Sequence, residues 1–369
     1  MNYVRMAIEK ESPEELGYGN IRNNLSESSV TDAVLGDLQI SLRDLTLLYC
    51  EHMGLPALRE RIAADHPGIR PEHVLVTAGA ASALFILHTT LLERGDHLIV
   101  AHPNYGTNIE TPRAIGAEVE LLPLTFEAGF QPDLEDLARR VRPNTRLISV
   151  TTPHNPAGVR LSEERLRGVL DLAERAGCTA LVDETYRDIS GLDLPPLAAA
   201  QSPRAVSVSS MSKAYGLPGI RVGWLICRDE ALMERLLAAK EQIFICNSVV
   251  DETIALRFLE RRDDFIARIR AHTAANFAQL DAWMARQSTL EWVRPDSACV
   301  CFPRFKPQLR VDTDRFYRLL LEEHGTLVGP GHWFDMPDTF MRIGYGWPSE
   351  RCFADGLAGI EAAAAASVG

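Results

Sequence analysis

SVSSMSKAYGLPGIRVGW, Ser207–Trp224, decides how this chain is read. It opens as a β-rich run, passes Lys213 and enters a turn shaped by Gly216, Pro218, Gly219 and Gly223. No solvated helix face accounts for a lysine there. Alone, a strand-end lysine is an ordinary surface charge; Ser210 three residues earlier and Arg221 eight residues later change the reading. A hydroxyl and a guanidinium flanking one amine can grip a phosphate while the amine reaches a carbonyl. To attack that carbonyl the amine must be deprotonated, and a desolvated cationic pocket lowers a lysine pKa toward that state.

Working outward, the segments before this stretch repeat one pattern. HVLVTAG (His73–Gly79) reads as a strand that turns into an apolar helix; HLIVAHPNY, EVELLPL, RLISVTTP and TALVDETY are further apolar runs, each ending in polar or turn residues. Runs this continuous fit strands buried on both faces. Helical segments such as Leu55–Ala64 and Ser162–Gly177 accompany them, so the expected fold class is α/β, a mostly parallel sheet wrapped by helices. Ligands of such sheets sit beyond the carboxyl ends of the strands. After about residue 228 the texture turns to long helical stretches, Glu230 to about Arg262 and Phe265 to about Arg286. These precede the strand-like ACVCFPRF, a helix near Asp312–His324 and the strand-like TFMRIGYG. The expected division is an N-terminal segment over 1–45, a large domain over 46–245 and a smaller α+β domain over 246–369.

Composition bounds the partners. With 369 residues, two domains are the natural expectation. Lys plus Arg number 38 against 50 Asp plus Glu, a net charge of −12, which gives no reason to expect nucleic acid or an anionic membrane. Seven scattered cysteines without a CxxC pair suggest neither a disulfide framework nor a metal site, and fit a reducing compartment. Cys299 and Cys301 read as small packing residues sharing a strand face. The start lacks the apolar stretch of a signal peptide and no run is long enough to span a bilayer, so a cytoplasmic location is expected.

Four further elements carry candidate chemistry. Asp183 closes TALVD and reads equally as a helix cap. Tyr186, three residues on, reads alone as packing. In a pyridoxal enzyme the aspartate keeps the pyridine nitrogen protonated and the tyrosine donates to the ring 3′-oxygen. TTPHNPAG (Thr151–Gly158) forms an extended loop whose Asn155 supplies a second donor to that oxygen. TAGAASA (Thr77–Ala83) opens a helix whose free N–H groups suit a phosphate. In HPNYGTN (His102–Asn108), Tyr105 can lie flat against a ring.

In this order and spacing these elements resemble the class I/II (fold type I) pyridoxal-phosphate-dependent aminotransferases, the aspartate aminotransferase superfamily, from about Tyr49 to Arg342. The resemblance implies a seven-stranded type of sheet and pyridoxal 5′-phosphate held by Lys213 as the Schiff-base lysine and proton shuttle. It implies that Asp183 pairs with the pyridine nitrogen, that Asn155 and Tyr186 hold the 3′-oxygen and that Tyr105 stacks on the ring. Phosphate contacts would come from the Ala80 and Ala81 amides, Ser210 and Arg221. Tyr49 matches a tyrosine that reaches the neighbouring subunit's phosphate, implying a homodimer. Arg342 stands where the family keeps the arginine for the substrate α-carboxylate, a group its fork matches.

The chain also departs from the pattern. The segment that lines the side-chain pocket reads NNLSESSVTD, Asn23–Asp32, without the usual glycine and proline, and PDSACVCF lacks the usual glycine. Glu27 is therefore expected either to face a basic or polar substrate side chain or to belong to a solvated loop. No arginine near IFICNSVV suits a second substrate carboxylate, which disfavours aspartate or glutamate as donor. The expected function is amino transfer from an L-amino acid to a 2-oxo acid; elimination, replacement, cyclisation or oxidation on the same cofactor is the alternative. A DNA-binding regulator lacks spare residues for its module, and a nucleotide-dependent dehydrogenase lacks an early GxGxxG.

Overall fold

The structure is a computed structural model describing residues 1–191 and 194–369. Its centre is a seven-stranded sheet in the order Val74–Thr77, Gly223–Cys227, Ala205–Ser210, Thr179–Asp183, Thr145–Thr151, His97–His102, Glu118–Pro123. Every neighbouring pair runs parallel except those made by Gly223–Cys227, which is antiparallel to both partners. The mostly parallel sheet is therefore as expected. The reversed strand begins at Gly223, the last glycine of the expected Gly/Pro turn, and its residues GWLIC form an apolar run.

Burial on both faces explains the continuous runs. Along one strand Leu98 and Val100 enter a cluster with Leu84, Leu147 and Leu181, while Ile99 and Ala101 point into another with Ile148, Val150 and Val182. Both sides must be apolar because helices cover both. The helix Gly79–Leu91 packs beneath the reversed strand and Glu163–Ala176 beneath Thr179–Asp183. Ser162 caps the latter by accepting from Arg165 N, and Gly177 ends it in the left-handed region.

Beyond the sheet the expected long helix over 230–262 divides into Glu230–Phe244 and Val249–Glu260. Ile245 takes φ 56°, which no helix continues, and Ser248 starts the next helix by accepting from Asp251 N. The next helix, Arg262–Met284, follows directly. ACVCFPRF is two strands, Val300–Cys301 and Arg304–Phe305, because Pro303 between them has no N–H for a ladder. Cys299 and Cys301 are both fully buried free thiols, yet only Cys301 lies in a strand. The strand Met341–Gly344 lies between Val300–Cys301 and Gly329–Pro330, antiparallel to both. Asn23–Asn24 pairs parallel with Thr326–Leu327, tying the N-terminal segment to residues some 300 positions later. Among the described residues no helix is long and apolar enough to cross a membrane.

Candidate active site

The parallel strands deliver their ends to one cavity of about 430 Å³. Ala80, Ala81, Tyr105, Asn155, Asp183 and Tyr186 line it, and so do Ser210, Lys213, Arg221, Arg342 and Glu27. Tyr49 does not: it is 78% exposed and absent from the lining of its own chain's cavity.

One end of the cavity is a cradle for an anion. Gly79 opens its helix at φ 79°, and a Cβ there would lie 2.7 Å from Arg221 Nη2. At Gly223 a Cβ would lie 2.5 Å from the Gly79 carbonyl carbon and 2.7 Å from Ala80 N. Glycine at both positions lets the guanidinium close on the start of a thirteen-residue helix, whose first amides are unpaired within the helix. Arg221 is itself held, with Nη1 donating to Pro218 O at 2.9 Å. Ser210 lies buried at the end of its strand beside this cradle.

Asp183, Asn155 and Tyr186 lie deeper. Thr185 donates to Asp183 Oδ1 through its hydroxyl at 2.6 Å and its amide at 3.0 Å, leaving Oδ2 for the cavity. Burial raises the Asp183 pKa against those bonds, and among the described residues no cation acts on the carboxylate. Arg342 Nη1 donates to Asn155 Oδ1 at 3.1 Å, which leaves Asn155 Nδ2 as a free donor. The Tyr186 hydroxyl is buried beside Ser28 and has no acceptor for its own proton among the described residues; burial pushes its pKa up, so it stays a donor. An orphaned buried hydroxyl is costly unless something accepts from it. Anion cradle, ring-nitrogen carboxylate and two donors together suit a phosphorylated pyridine bearing a ring oxygen.

Lys213 follows on the loop. Burial lowers its pKa and Arg342 acts in the same direction, against Glu27, Cys299 and Glu14. Its carbonyl accepts from Val30 N at 3.1 Å, so the lysine loop and the N-terminal segment are docked together. Arg342 is 3% exposed: Nη2 donates to Ser26 O at 2.7 Å, while Nε is buried without a partner. Its guanidinium faces the Phe334 ring at 5.0 Å. This is a cation held in place with donor capacity to spare.

The solvated-loop expectation for Glu27 is overturned. Residues 23–30 are buried except for Glu27, which is partly buried and lines the cavity. They cannot swing out, because Gly344 N donates to Leu25 O at 2.8 Å and Ala33 N to Gly216 O at 2.7 Å. A Cβ on Gly344 would lie 1.8 Å from Glu27 O. Gly344→Ala is thus expected to cost about 2–3 kcal/mol through overpacking and to lower the thermal midpoint. A midpoint equal to wild type would contradict that close approach. Burial raises the Glu27 pKa, against Lys213 and Arg342, and its Oε1 accepts from the Tyr18 hydroxyl at 3.2 Å.

Sequence reasoning missed several wall residues. Glu9, Ser12 and Glu14 come from the first fifteen residues and Trp333 from the turn before Phe334. Trp333 Nε1 donates to Glu11 Oε2 at 2.7 Å, and His332 Nε2 lies 2.8 Å from the same oxygen. The only signal in the sequence was the density of acids before residue 16. Thr185, which orients Asp183, was recoverable as a hydroxyl two residues after a strand-end aspartate.

Comparison with known proteins places this geometry. The sequence model of the family described as aminotransferase class I and II matches residues 15–352. Capreomycidine synthase of Streptomyces vinaceus is 32% identical over 357 residues, covering 93% of this chain and 90% of that one. A PLP-dependent aminotransferase structure from Streptococcus suis 89-1591 superposes with a TM-score of 0.90 at 28% identity, over 98% of both chains. The structure of the PLP-dependent cyclase OrfR gives 0.88 at 27% identity, over 99% of this chain and 98% of its own.

Proposed function

Because the chain belongs to the class I and II aminotransferases, fold type I enzymes that use pyridoxal 5′-phosphate, we propose that it moves the amino group of an L-amino acid to a 2-oxo acid, with Lys213 as the cofactor-binding lysine. When bound, the cofactor supplies an aldehyde that captures amines and a protonated ring that accepts the electrons of a breaking bond at the α-carbon. The protein's part is to hold, orient and move protons. Ala80 and Ala81 amides, Ser210 and Arg221 would grip the phosphate. Tyr105 would cover the ring, Asp183 would keep the ring nitrogen protonated, and Asn155 with the Tyr186 hydroxyl would hold the ring oxygen. Arg342 anchors the substrate carboxylate through its fork. Lys213 Nζ would hold the cofactor aldehyde and would also be the base placed for the α-proton. Its lowered pKa favours the neutral amine that this requires.

The observation that carries the reading is the unpaired cation of Arg342 in the same cavity as Lys213 and the anion cradle. We further propose a homodimer in which Tyr49 reaches the neighbouring site. Its support is an apolar surface at Leu47, Leu48 and Tyr49 and at Ile243 and Ile245; Lys240 Nζ, donating to His52 O, ties the two segments together. The proposed division at 45/46 and 245/246 draws on the seven strands lying within 74–227 and on the helix break at Ile245. A cytoplasmic location is part of the same reading.

A second reading, cyclisation or elimination on the same cofactor, is favoured by the similarity to capreomycidine synthase and the cyclase OrfR. One experiment separates them: incubate the holoenzyme with single L-amino acids and no acceptor. Amino transfer yields one equivalent of 2-oxo acid and pyridoxamine phosphate per site, and then stops. Continued turnover with ammonia, water loss or a ring-closed product would replace the first reading by the second.

A further inference from the structure

The cations of the cavity each have a partner in the proposed reaction: Lys213 the cofactor aldehyde, Arg221 the phosphate, Arg342 the substrate carboxylate. Among the anions only Asp183 does. Glu9, Glu14 and Glu27 also line the cavity, and among the described residues none of them forms an ion pair. The acids beside them differ. Glu15 pairs with Arg5 at 3.0 Å, and Glu11 is taken up by His332 and Trp333. Along residues 9–15, then, the acids that turn away from the cavity are neutralised and those that face it are left open. Tyr18 joins Glu14 and Glu27: its hydroxyl donates to Glu27 and the charges of both carboxylates act on it. Its ring stacks on Trp347 at 6.4 Å, which fixes the bridge.

Resting on the aminotransferase reading of this site, we infer that the preferred donor is an L-amino acid whose side chain ends in a cation, a guanidinium or an ammonium, held by Glu27 and Glu14. Two independent features point there. Arg342 is nearly fully buried and lines the same cavity, so the carboxylate end of a ligand is pinned there; what extends from it meets the acidic wall. The wall carries like charges that repel one another until a cation arrives, which makes an anionic side chain unfavourable as well as a cationic one favourable. Burial holds the Glu27 carboxyl above its ordinary pKa, and a bound cation would act in the opposite direction, as Lys213 and Arg342 already do. Glu14 stands at the rim, exposed, where salt screens it more than Glu27.

The test uses ligands without an α-amino group, so that transfer from the α-carbon cannot occur. Calorimetric titration of the holoenzyme with δ-guanidinovalerate, ε-aminocaproate, caproate and adipate compares a cationic, a neutral and an anionic end on similar chains. At least one cationic ligand is expected to bind about tenfold or more tightly than caproate, with adipate weakest. Glu27→Gln should remove most of that preference, and Glu14→Gln part of it, the latter more at low salt. Caproate binding should change little in either variant. Equal affinity for all four ligands, or equal losses for cationic and neutral ligands in both variants, would overturn the inference. Selective binding of a cationic ligand by an enzyme that releases ammonia instead of transferring it would leave this inference standing and sink the transfer reaction. Efficient transfer from uncharged amino acids with no cationic preference would do the reverse.

Discussion

Lys213→Ala is expected to lower turnover by at least about 10⁴-fold, the upper range for one acid–base group, since the same amine also binds the cofactor. Borohydride treatment of the wild-type holoenzyme should fix a pyridoxyl group on the peptide containing Lys213, and the variant should carry none at any lysine. The loss is expected to belong to the chemistry, because the substitution should not harm the fold. The folded pKa of Lys213 lies below its ordinary value, so the unfolded chain binds this proton more strongly. At neutral pH the lysine therefore costs stability, and the cost fades as pH rises toward the ordinary lysine value. Apo forms of the variant and the wild type, compared at pH 7, should show a thermal midpoint in the variant no lower than in wild type. Residual turnover above about 1% of wild type would remove Lys213 from its proposed role.

What could be read without coordinates was what is local. The Ser207–Trp224 stretch keeps the hydroxyl, amine and guanidinium within fifteen residues, and the loop between them has few conformations because glycine and proline fix it. The continuous runs Leu98–Ala101 and Leu181–Val182 fitted a sheet covered on both faces, since a strand with one solvated face would alternate apolar and polar residues. The reversed strand Gly223–Cys227 was lost because its first residue, which must be glycine for the Gly79 approach, reads as the end of a turn. The break at Ile245 gave no warning either: a β-branched residue at positive φ is what local preference argues against. The acidic wall was the least visible part. Glu11 distinguishes itself from Glu9 and Glu14 only by meeting His332 and Trp333 more than 300 positions away.

The second large effect concerns Arg342. Removing one member of a buried, hydrogen-bonded charge pair costs about 2–5 kcal/mol, roughly thirty- to several-thousand-fold in affinity. Arg342→Ala should therefore raise KM for every amino acid donor by about 10²–10³-fold, with a smaller fall in kcat, because a carboxylate is gripped before as well as during the reaction. Arg342→Lys keeps a charge but loses the planar fork that also reaches Asn155 and Ser26, so it should recover only part of the loss. A purely structural arginine would also lower activity when removed, and substrate truncation separates the two cases. Wild type should bind the decarboxylated amine of its preferred donor far more weakly than the donor itself; Arg342→Ala should bind the two about equally, since the group that tells them apart is gone. If the variant still prefers the carboxylate-bearing donor by the wild-type ratio, the carboxylate is held elsewhere. The free Nε would then need another acceptor, and the acidic wall would lose the fixed point from which a cationic side chain reaches it.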